Sequence, residues 1–219
     1  MLNYSTSAEN HLKAIFHLQS EDGNVTTNEL AERLQTKPAS VTDMLKKLKT
    51  RKLVNYQPYK GFRLTADGQK VALGIIRRHR LWELFLADKL KFNWDEVHEV
   101  AEHLEHVSSK KLIDKLDEYL DFPKFDPHGD PIPDIHGKME SLKQISLSDW
   151  PLNKTAIVCQ VSNQSVEMLE LLQKRKINIG SKVEIKRKFS FDNSLEIKSG
   201  NSSLFNISEQ LAKNILVRK

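Results

Sequence analysis

The sequence predicts a mainly α-helical chain with a small β part: a winged helix-turn-helix, a helical domain and an SH3-like β barrel. Helical hydrophobic periodicity runs through the first two thirds of the chain, whereas short alternating strands follow from about residue 151. Four prolines between residues 122 and 133 exclude a helix over that stretch. The expected domains are residues 1–70, 71–140 and 151–219, with a linker over residues 141–150.

The composition is that of a globular protein without a membrane partner. The chain has 219 residues, of which 39% are hydrophobic and 29% charged, enough for two or three small domains. No stretch approaches the roughly 18 apolar residues that a membrane span needs, and the first residues lack the pattern of a secretory signal. The single cysteine, Cys159, has no partner for an internal disulfide. We therefore expect a cytoplasmic location.

The first 70 residues show the element order of a winged helix-turn-helix. Apolar residues between 12 and 18 follow helical spacing, and Thr27 is placed to cap a second helix over residues 28–34. Pro38 is a good first residue for a third helix, which reaches about residue 51. Residues 53–65 then predict two short strands around a Lys-Gly turn.

The third helix of this segment lies in a strongly basic stretch. Residues 33–63 contain nine lysines and arginines against one acidic residue, Asp43, so this surface attracts a polyanion such as DNA. Early positions of the helix would face bases or the adjacent backbone: Ala39, Ser40, Thr42 and Asp43. The remaining candidates are expected to contact phosphates: Thr27, Asn28, Lys37, Lys46, Lys47, Arg51 and Lys60.

The middle segment predicts three helices, over residues 67–89, 94–107 and 109–120. Imidazole and carboxylate side chains recur on one face of the second helix at spacings i, i+4, i+7 and i+8, namely His98, Glu102, Glu105 and His106. His79 and Glu83 form an i, i+4 pair on the first of these three helices. Such a face is also typical of a solvated helix, but this ligand set, without thiols, suits Mn²⁺, Fe²⁺ or Zn²⁺.

The last segment alternates like a small β barrel. Strands are expected over residues 154–161, 182–188, 194–198, 203–207 and 215–218. Helices are expected over residues 166–172 and 208–214.

A series of short motifs runs along nearly the whole chain, at residues 8–12, 30–34, 40–42, 64–68, 78–81, 102–107 and 129–133. In this order they resemble the diphtheria toxin repressor family of metal-dependent repressors, in its three-domain, manganese transport regulator-like form. The resemblance implies a winged DNA-binding domain, a helical metal-binding and dimerisation domain, and an SH3-like third domain of the FeoA type. It also implies a homodimer that binds a palindromic operator in double-stranded DNA when metal is bound.

The resemblance also implies two metal sites. The primary site maps onto Asn10, Glu102, Glu105 and His106. Glu102 stands where the iron-type regulators have cysteine, which favours Mn²⁺, whereas Asn10 brings no charge to the site. Lys13 stands where many manganese regulators have a further glutamate, which argues against a closely spaced pair of metals. The ancillary site maps onto His79, Glu83, His98, Gln164 and Glu167.

We therefore predict a transcriptional repressor activated by Mn²⁺ or Fe²⁺, with Zn²⁺ and Co²⁺ as ligands in vitro, that controls metal-uptake genes. Metal would bridge the first helix and the helix of Glu102, and so fix the spacing of the two reading heads. Neither an enzymatic activity nor a small organic substrate is expected. Two alternatives stay open: a winged-helix regulator that responds to a ligand or partner independently of metal, and a mononuclear metal hydrolase.

Overall fold

The computed structural model describes residues 4–19, 23–57, 61–107, 109–200 and 202–219, apart from the side chain of Gln57. The chain divides into two compact units. Unit 1 comprises Met1–His79, Glu102–Tyr119 and Pro133–Met139. Unit 2 comprises Arg80–Ala101, Leu120–Ile132 and Glu140–Lys219. None of the helices in the described ranges is both long and apolar enough to cross a membrane.

Unit 1 contains the predicted helix-helix-turn-helix and wing. Its elements are α1 (Thr6–Leu18), α2 (Thr27–Arg33), α3 (Pro38–Thr50), β1 (Val54–Gln57) and β2 (Gly61–Leu64). The strands pair antiparallel, and residues 58–60 between them, which include the predicted phosphate contact Lys60, lie outside the described residues.

The start of α2 corrects one expectation. Thr26, not Thr27, is the N-cap: its hydroxyl accepts from the Glu29 amide, and the Glu29 carboxylate accepts from the Thr26 amide 2.8 Å away. This reciprocal capping box satisfies two amides that have no partner inside the helix. Thr27 is therefore the first helical residue, and its side chain is half-buried.

Helix α3 is held by an apolar stripe on its inner face. Val41, Leu45 and Leu48 recur at spacings of four and three residues and are almost completely buried. They belong to one core with residues of α1 and α2 such as Leu12 and Leu30. The opposite face of α3 is left to solvent and carries the lysines.

Three more helices follow, α4 (Ala66–Asp88), α5 (Val97–Leu104) and α6 (Lys110–Tyr119). Helix α5 is shorter at both ends than the predicted 94–107, so Glu105 and His106 lie in the turn after it. The carbonyl oxygen of Glu105, which would have no partner inside a helix that ends at residue 107, accepts a hydrogen bond from Arg78 Nε at 2.5 Å.

The described part of unit 2 contains one six-stranded antiparallel sheet, of order β3-β8-β4-β5-β6-β7. The strands are β3 (Ile145–Ser146), β4 (Thr155–Val161), β5 (Lys182–Lys188), β6 (Leu195–Ser199), β7 (Phe205–Ile207) and β8 (Ile215–Arg218), and the helices are α7 (Val166–Lys174) and α8 (Glu209–Lys213). These elements match the expected barrel closely.

Residues 141–150, expected to be a linker, are part of the structure of unit 2. Ile145 and Ser146 form the edge strand β3, and a 3₁₀ turn covers Leu147–Asp149. Leu147 is fully buried in the sheet core, and Trp94, which precedes α5, packs against the same core. Unit 2 therefore joins part of the helical segment to the third-domain sheet.

Candidate metal centre and DNA-binding surface

Three buried side chains of unit 2 form a compact cluster of metal-ligand groups. Glu83 comes from α4, and Asp126 and His128 come from the proline-rich loop; one ligand atom of each lies within 4.8 Å of the others. All three residues are at most 5% exposed. His98 of α5 adjoins the cluster, with its Nδ1 3.1 Å from Glu83 Oε1.

The loop that carries Asp126 and His128 is held in one conformation. Asp126 Oδ1 accepts from the amides of His128 and Asp130 at 2.8 and 2.9 Å, which closes a tight turn. Gly129 follows at φ +86°, and a Cβ at this position would overlap the carbonyl oxygen of Cys159 on β4. The Val161 amide also donates to the His128 carbonyl at 3.0 Å. The loop is therefore packed directly against β4.

The ring of His128 is oriented so that one nitrogen faces the carboxylates. Its Nε2 donates to the carbonyl oxygen of Trp94 at 2.8 Å. Its Nδ1 lies 3.9 Å from Glu83 Oε2, and both this nitrogen and Asp126 Oδ2 are buried without a hydrogen-bond partner. A backbone carbonyl that fixes one ring nitrogen is the usual arrangement behind a metal-bound histidine.

Burial and mutual repulsion perturb the acids and bases of this cluster. Burial raises the pKa of Asp126, and the negative charges of Glu83 and Asp130 raise it further, to about 8. Burial lowers the pKa of His128, but interaction with Glu83 and Asp126 outweighs that effect and raises the pKa to about 9. Arg80 lies 3.7 Å from Asp126 and 3.6 Å from Asp130, and its charge lowers the pKa of Asp126 without outweighing burial and the neighbouring carboxylates. Closely packed oxygens and one imidazole nitrogen fit a divalent first-row ion.

The other predicted ancillary ligands lie around this cluster in different ways. Gln164 Nε2 donates to Asp130 Oδ2 at 2.8 Å, and the amide of Asp130 in turn donates to Asp126. Glu167 is exposed on the first turn of α7. His79, one helical turn before Glu83 on α4, is buried in unit 1, with its Nδ1 2.6 Å from Glu105.

The predicted primary residues lie in unit 1 beside α1. Glu105 is completely buried, and Lys13 Nζ lies 2.7 Å from its carboxylate and 3.4 Å from that of Glu102. Burial raises the pKa of Glu105, but the hydrogen bond from His79 and the charge of Lys13 outweigh it, so the pKa is lowered. His106 Nδ1 lies 2.6 Å from Glu9 Oε2.

Helix α1 therefore meets residues 102–106 through Glu9 and Lys13. Glu9 is buried and also accepts from Arg78 at 2.8 Å. Asn10, the expected ligand, has a buried side-chain oxygen without a hydrogen-bond partner. The sequence-based site omitted Glu9, although the i, i+4 spacing of Glu9 and Lys13 places both on one face of α1.

The candidate DNA-binding surface is the solvent face of α3 and the start of α2. Most of the predicted contacts are exposed: Asn28, Lys37, Ala39, Ser40, Asp43, Lys46, Lys47 and Arg51. Two of the predicted base-reading side chains already have partners, since the Thr42 hydroxyl donates to the Pro38 carbonyl and Asp43 pairs with Lys46 at 3.2 Å. Arg51 stacks over the Tyr4 ring. Ala39 and Ser40 are thus the least encumbered positions.

Comparisons with known proteins show which family combines such a DNA-binding domain with a metal-binding domain. Three family models match in order: the N-terminal DNA-binding domain of iron-dependent repressors over residues 3–62, their metal-binding and dimerisation domain over residues 65–134, and the FeoA domain over residues 145–219. The HTH-type transcriptional regulator MntR of Oceanobacillus iheyensis is 30% identical over 151 residues, 68% of this chain and 96% of that protein. The chain belongs to the family of metal-dependent transcriptional repressors.

Other members of this repressor family match over greater lengths. The diphtheria toxin repressor of Corynebacterium glutamicum is 28% identical over 82% of this chain and 83% of that protein. A manganese-dependent transcriptional repressor, solved in complex with manganese, superimposes with a TM-score of 0.84 at 31% identity, covering 96% of this chain and 98% of that one. These matches confirm the predicted fold class, and the named relatives are DNA-binding regulators rather than enzymes.

Proposed function

We propose that this chain is a repressor that binds Mn²⁺ or Fe²⁺ and then, as a homodimer in the cytoplasm, a palindromic operator controlling metal-uptake genes. The observation that carries the proposal is the buried cluster of Glu83, Asp126 and His128 in a chain that also presents a basic recognition helix. Neither feature alone would indicate a regulator that responds to metal.

Glu83, Asp126 and His128 would hold the ion, with His98, which contacts Glu83, and Gln164, which contacts Asp130, as further candidate ligands. His79 and Glu167 stay candidates for the same ancillary site. A divalent ion would supply positive charge beside two buried acids, Glu83 and Asp126, whose mutual repulsion raises the pKa of Asp126. A ligand set dominated by carboxylate oxygens favours Mn²⁺ or Fe²⁺ in the cell, and Zn²⁺ or Co²⁺ would also bind in vitro. A second metal-binding site would be formed by Asn10, Glu102, Glu105 and His106.

The DNA-binding part of the proposal rests on exposure and charge. Ala39 and Ser40 at the start of α3 would face bases, with Thr42 and Asp43 behind them. Phosphates would be bound by the surrounding residues: Thr27, Asn28, Lys37, Lys46, Lys47, Arg51 and Lys60. Exposed apolar side chains on and beside α6, including Leu112 and Tyr119, support self-association through this helix.

The test is selection of DNA from a random duplex library by the full chain, with Mn²⁺ or with a chelator. We expect enrichment of an inverted repeat only with Mn²⁺. His128→Ala should weaken metal affinity at least tenfold and abolish the enrichment. His136→Ala, which removes an exposed histidine of unit 1, should behave as the unaltered chain. Equal enrichment with and without chelator would instead indicate a metal-independent winged-helix regulator.

A further inference from the structure

Lys13 occupies the centre of the carboxylate cluster in unit 1. Its ammonium lies 2.7 Å from Glu105 and 3.4 Å from Glu102, and its side chain is only 15% exposed. By contrast, the side chains of Lys46 and Lys115, also paired with acids, are 74% and 68% exposed. Lys13 is thus a largely desolvated cation held by two acids, unlike a typical surface lysine.

We propose that Lys13 is a built-in cation that takes the place of a divalent ion between α1 and residues 102–106. An ion coordinated by both Glu102 and Glu105 would have to displace this ammonium, since both groups require the same carboxylate oxygens. The same cluster contains Glu9, which pairs with Arg78 and with His106, and His79, whose Nδ1 lies 2.6 Å from the Glu105 carboxylate. Within unit 1, α1 is therefore held to residues 102–106 without metal.

This inference rests on the proposed function, because it assumes that the chain binds divalent ions. It predicts that the first ion binds at Glu83, Asp126 and His128, the buried cluster of unit 2. The cluster in unit 1 would accept an ion only at much higher concentration. Lys13 would thus determine how many ions the chain holds at a given metal concentration.

The experiment is titration of the metal-depleted full chain with Mn²⁺ by calorimetry. The unaltered chain should show one tight step and a second, much weaker one. Lys13→Met should tighten the second step at least tenfold, whereas Lys13→Arg, which keeps the charge, should not. Lys115→Met is the matched control, because it removes an exposed lysine of unit 1 paired with Glu118. Adding Glu105→Gln to Lys13→Met should abolish the gain.

An unchanged second step in Lys13→Met, or an equal gain in Lys13→Arg, would overturn the inference. Circular dichroism checks folding, and Lys13→Gln replaces Lys13→Met if that variant does not fold. In metal-free protein, Lys13→Met should also speed hydrogen exchange in α1 relative to Lys115→Met. Failure of the proposed function is recognised separately, because there the unaltered chain would bind DNA equally with Mn²⁺ and with chelator.

Discussion

Asp126 and His128, two buried side chains of unit 2, have pKa values above neutral pH, about 8 and about 9. At pH 7 the metal-free cluster therefore retains protons, and an ion that takes the lone pairs of these two groups must release protons. We predict that the heat of Mn²⁺ binding at pH 7 changes with the ionisation enthalpy of the buffer. The dependence should shrink as pH rises through 8 and 9, because fewer protons are left to release.

The control for this measurement is His128→Ala, which removes the group with the higher pKa along with much of the affinity. A binding heat that is the same in phosphate and Tris at pH 7 would contradict proton release.

Spacing predicted some residues of the candidate metal centre but not others. Glu83 and His98 stand on helices, where the i, i+4 rule places ligands on a common face, so a pattern could find them. Asp126 and His128 stand in a proline-rich loop without periodicity. Their position depends on a turn closed by Asp126 itself and on the packing of Gly129 against β4. No local pattern predicts that packing, which is why this part of the centre was missed.

The loop over residues 126–131 is an element whose shape depends on Gly129. We predict that Gly129→Ala weakens Mn²⁺ affinity and lowers the stability of unit 2, because the new Cβ overlaps the Cys159 carbonyl and residue 129 has φ +86°. Gly180→Ala is the matched control, with the same φ and no atom near its Cβ. It should cost about 1–2 kcal/mol of backbone strain and leave metal affinity unchanged.

Calorimetric titration of both glycine variants with Mn²⁺ separates the two effects, and urea unfolding reports the stability. Equal metal affinity in both variants would show that the loop does not depend on the close approach to β4.

The basic face of α3 predicts that the affinity for DNA depends on salt concentration. If Lys47 neutralises one phosphate, Lys47→Ala should lower the slope of log affinity against log salt concentration by about 0.9. The comparison is Lys115→Ala, which should leave the slope unchanged. Fluorescence anisotropy on the selected operator, in the presence of Mn²⁺ over a range of salt concentrations, gives both slopes. An unchanged slope for Lys47→Ala would place Lys47 away from the backbone.

Element types were predictable from periodicity, but their ends depended on distant partners. Helix α3 matched within one residue, because its Pro38 start and its apolar stripe are local signals. Helix α5 ended earlier than expected, and the Glu105 carbonyl in the turn after it accepts from the guanidinium of Arg78, a residue of α4. Likewise, Leu147 lies in the core of a sheet whose other strands are remote in sequence, so its segment resembled a linker.

At the scale of the whole chain, a bound ion should stabilise the unit that holds it. Glu83, Asp126 and His128 all belong to unit 2, so Mn²⁺ should raise the free energy of unfolding of that unit. At a free concentration 100 times the dissociation constant, the gain is about 2.7 kcal/mol. Thermal unfolding with increasing Mn²⁺ measures it.

A chelator should reverse this stabilisation, and His128→Ala should show little of it. Stabilisation of equal size in His128→Ala would move the tight site away from the cluster.

The order of the three domains could be predicted from the sequence, because each domain has its own hydrophobic periodicity and its own net charge. Their borders were harder to predict, since the predicted middle domain, residues 71–140, contributes to both compact units. Packing, rather than sequence order, decides this division: Trp94 joins the core of the sheet, whereas residues 133–139 belong with unit 1. The borders proposed from the sequence stay predictions.

The ring of Trp94 stacks on that of His128, with centroids 6.0 Å apart and planes 21° from parallel. The protein thereby possesses an intrinsic optical probe beside its candidate metal centre. A paramagnetic ion such as Mn²⁺ bound by His128 should quench the indole emission, and diamagnetic Zn²⁺ should quench it less. Loading of the centre could thus be followed in real time without a label.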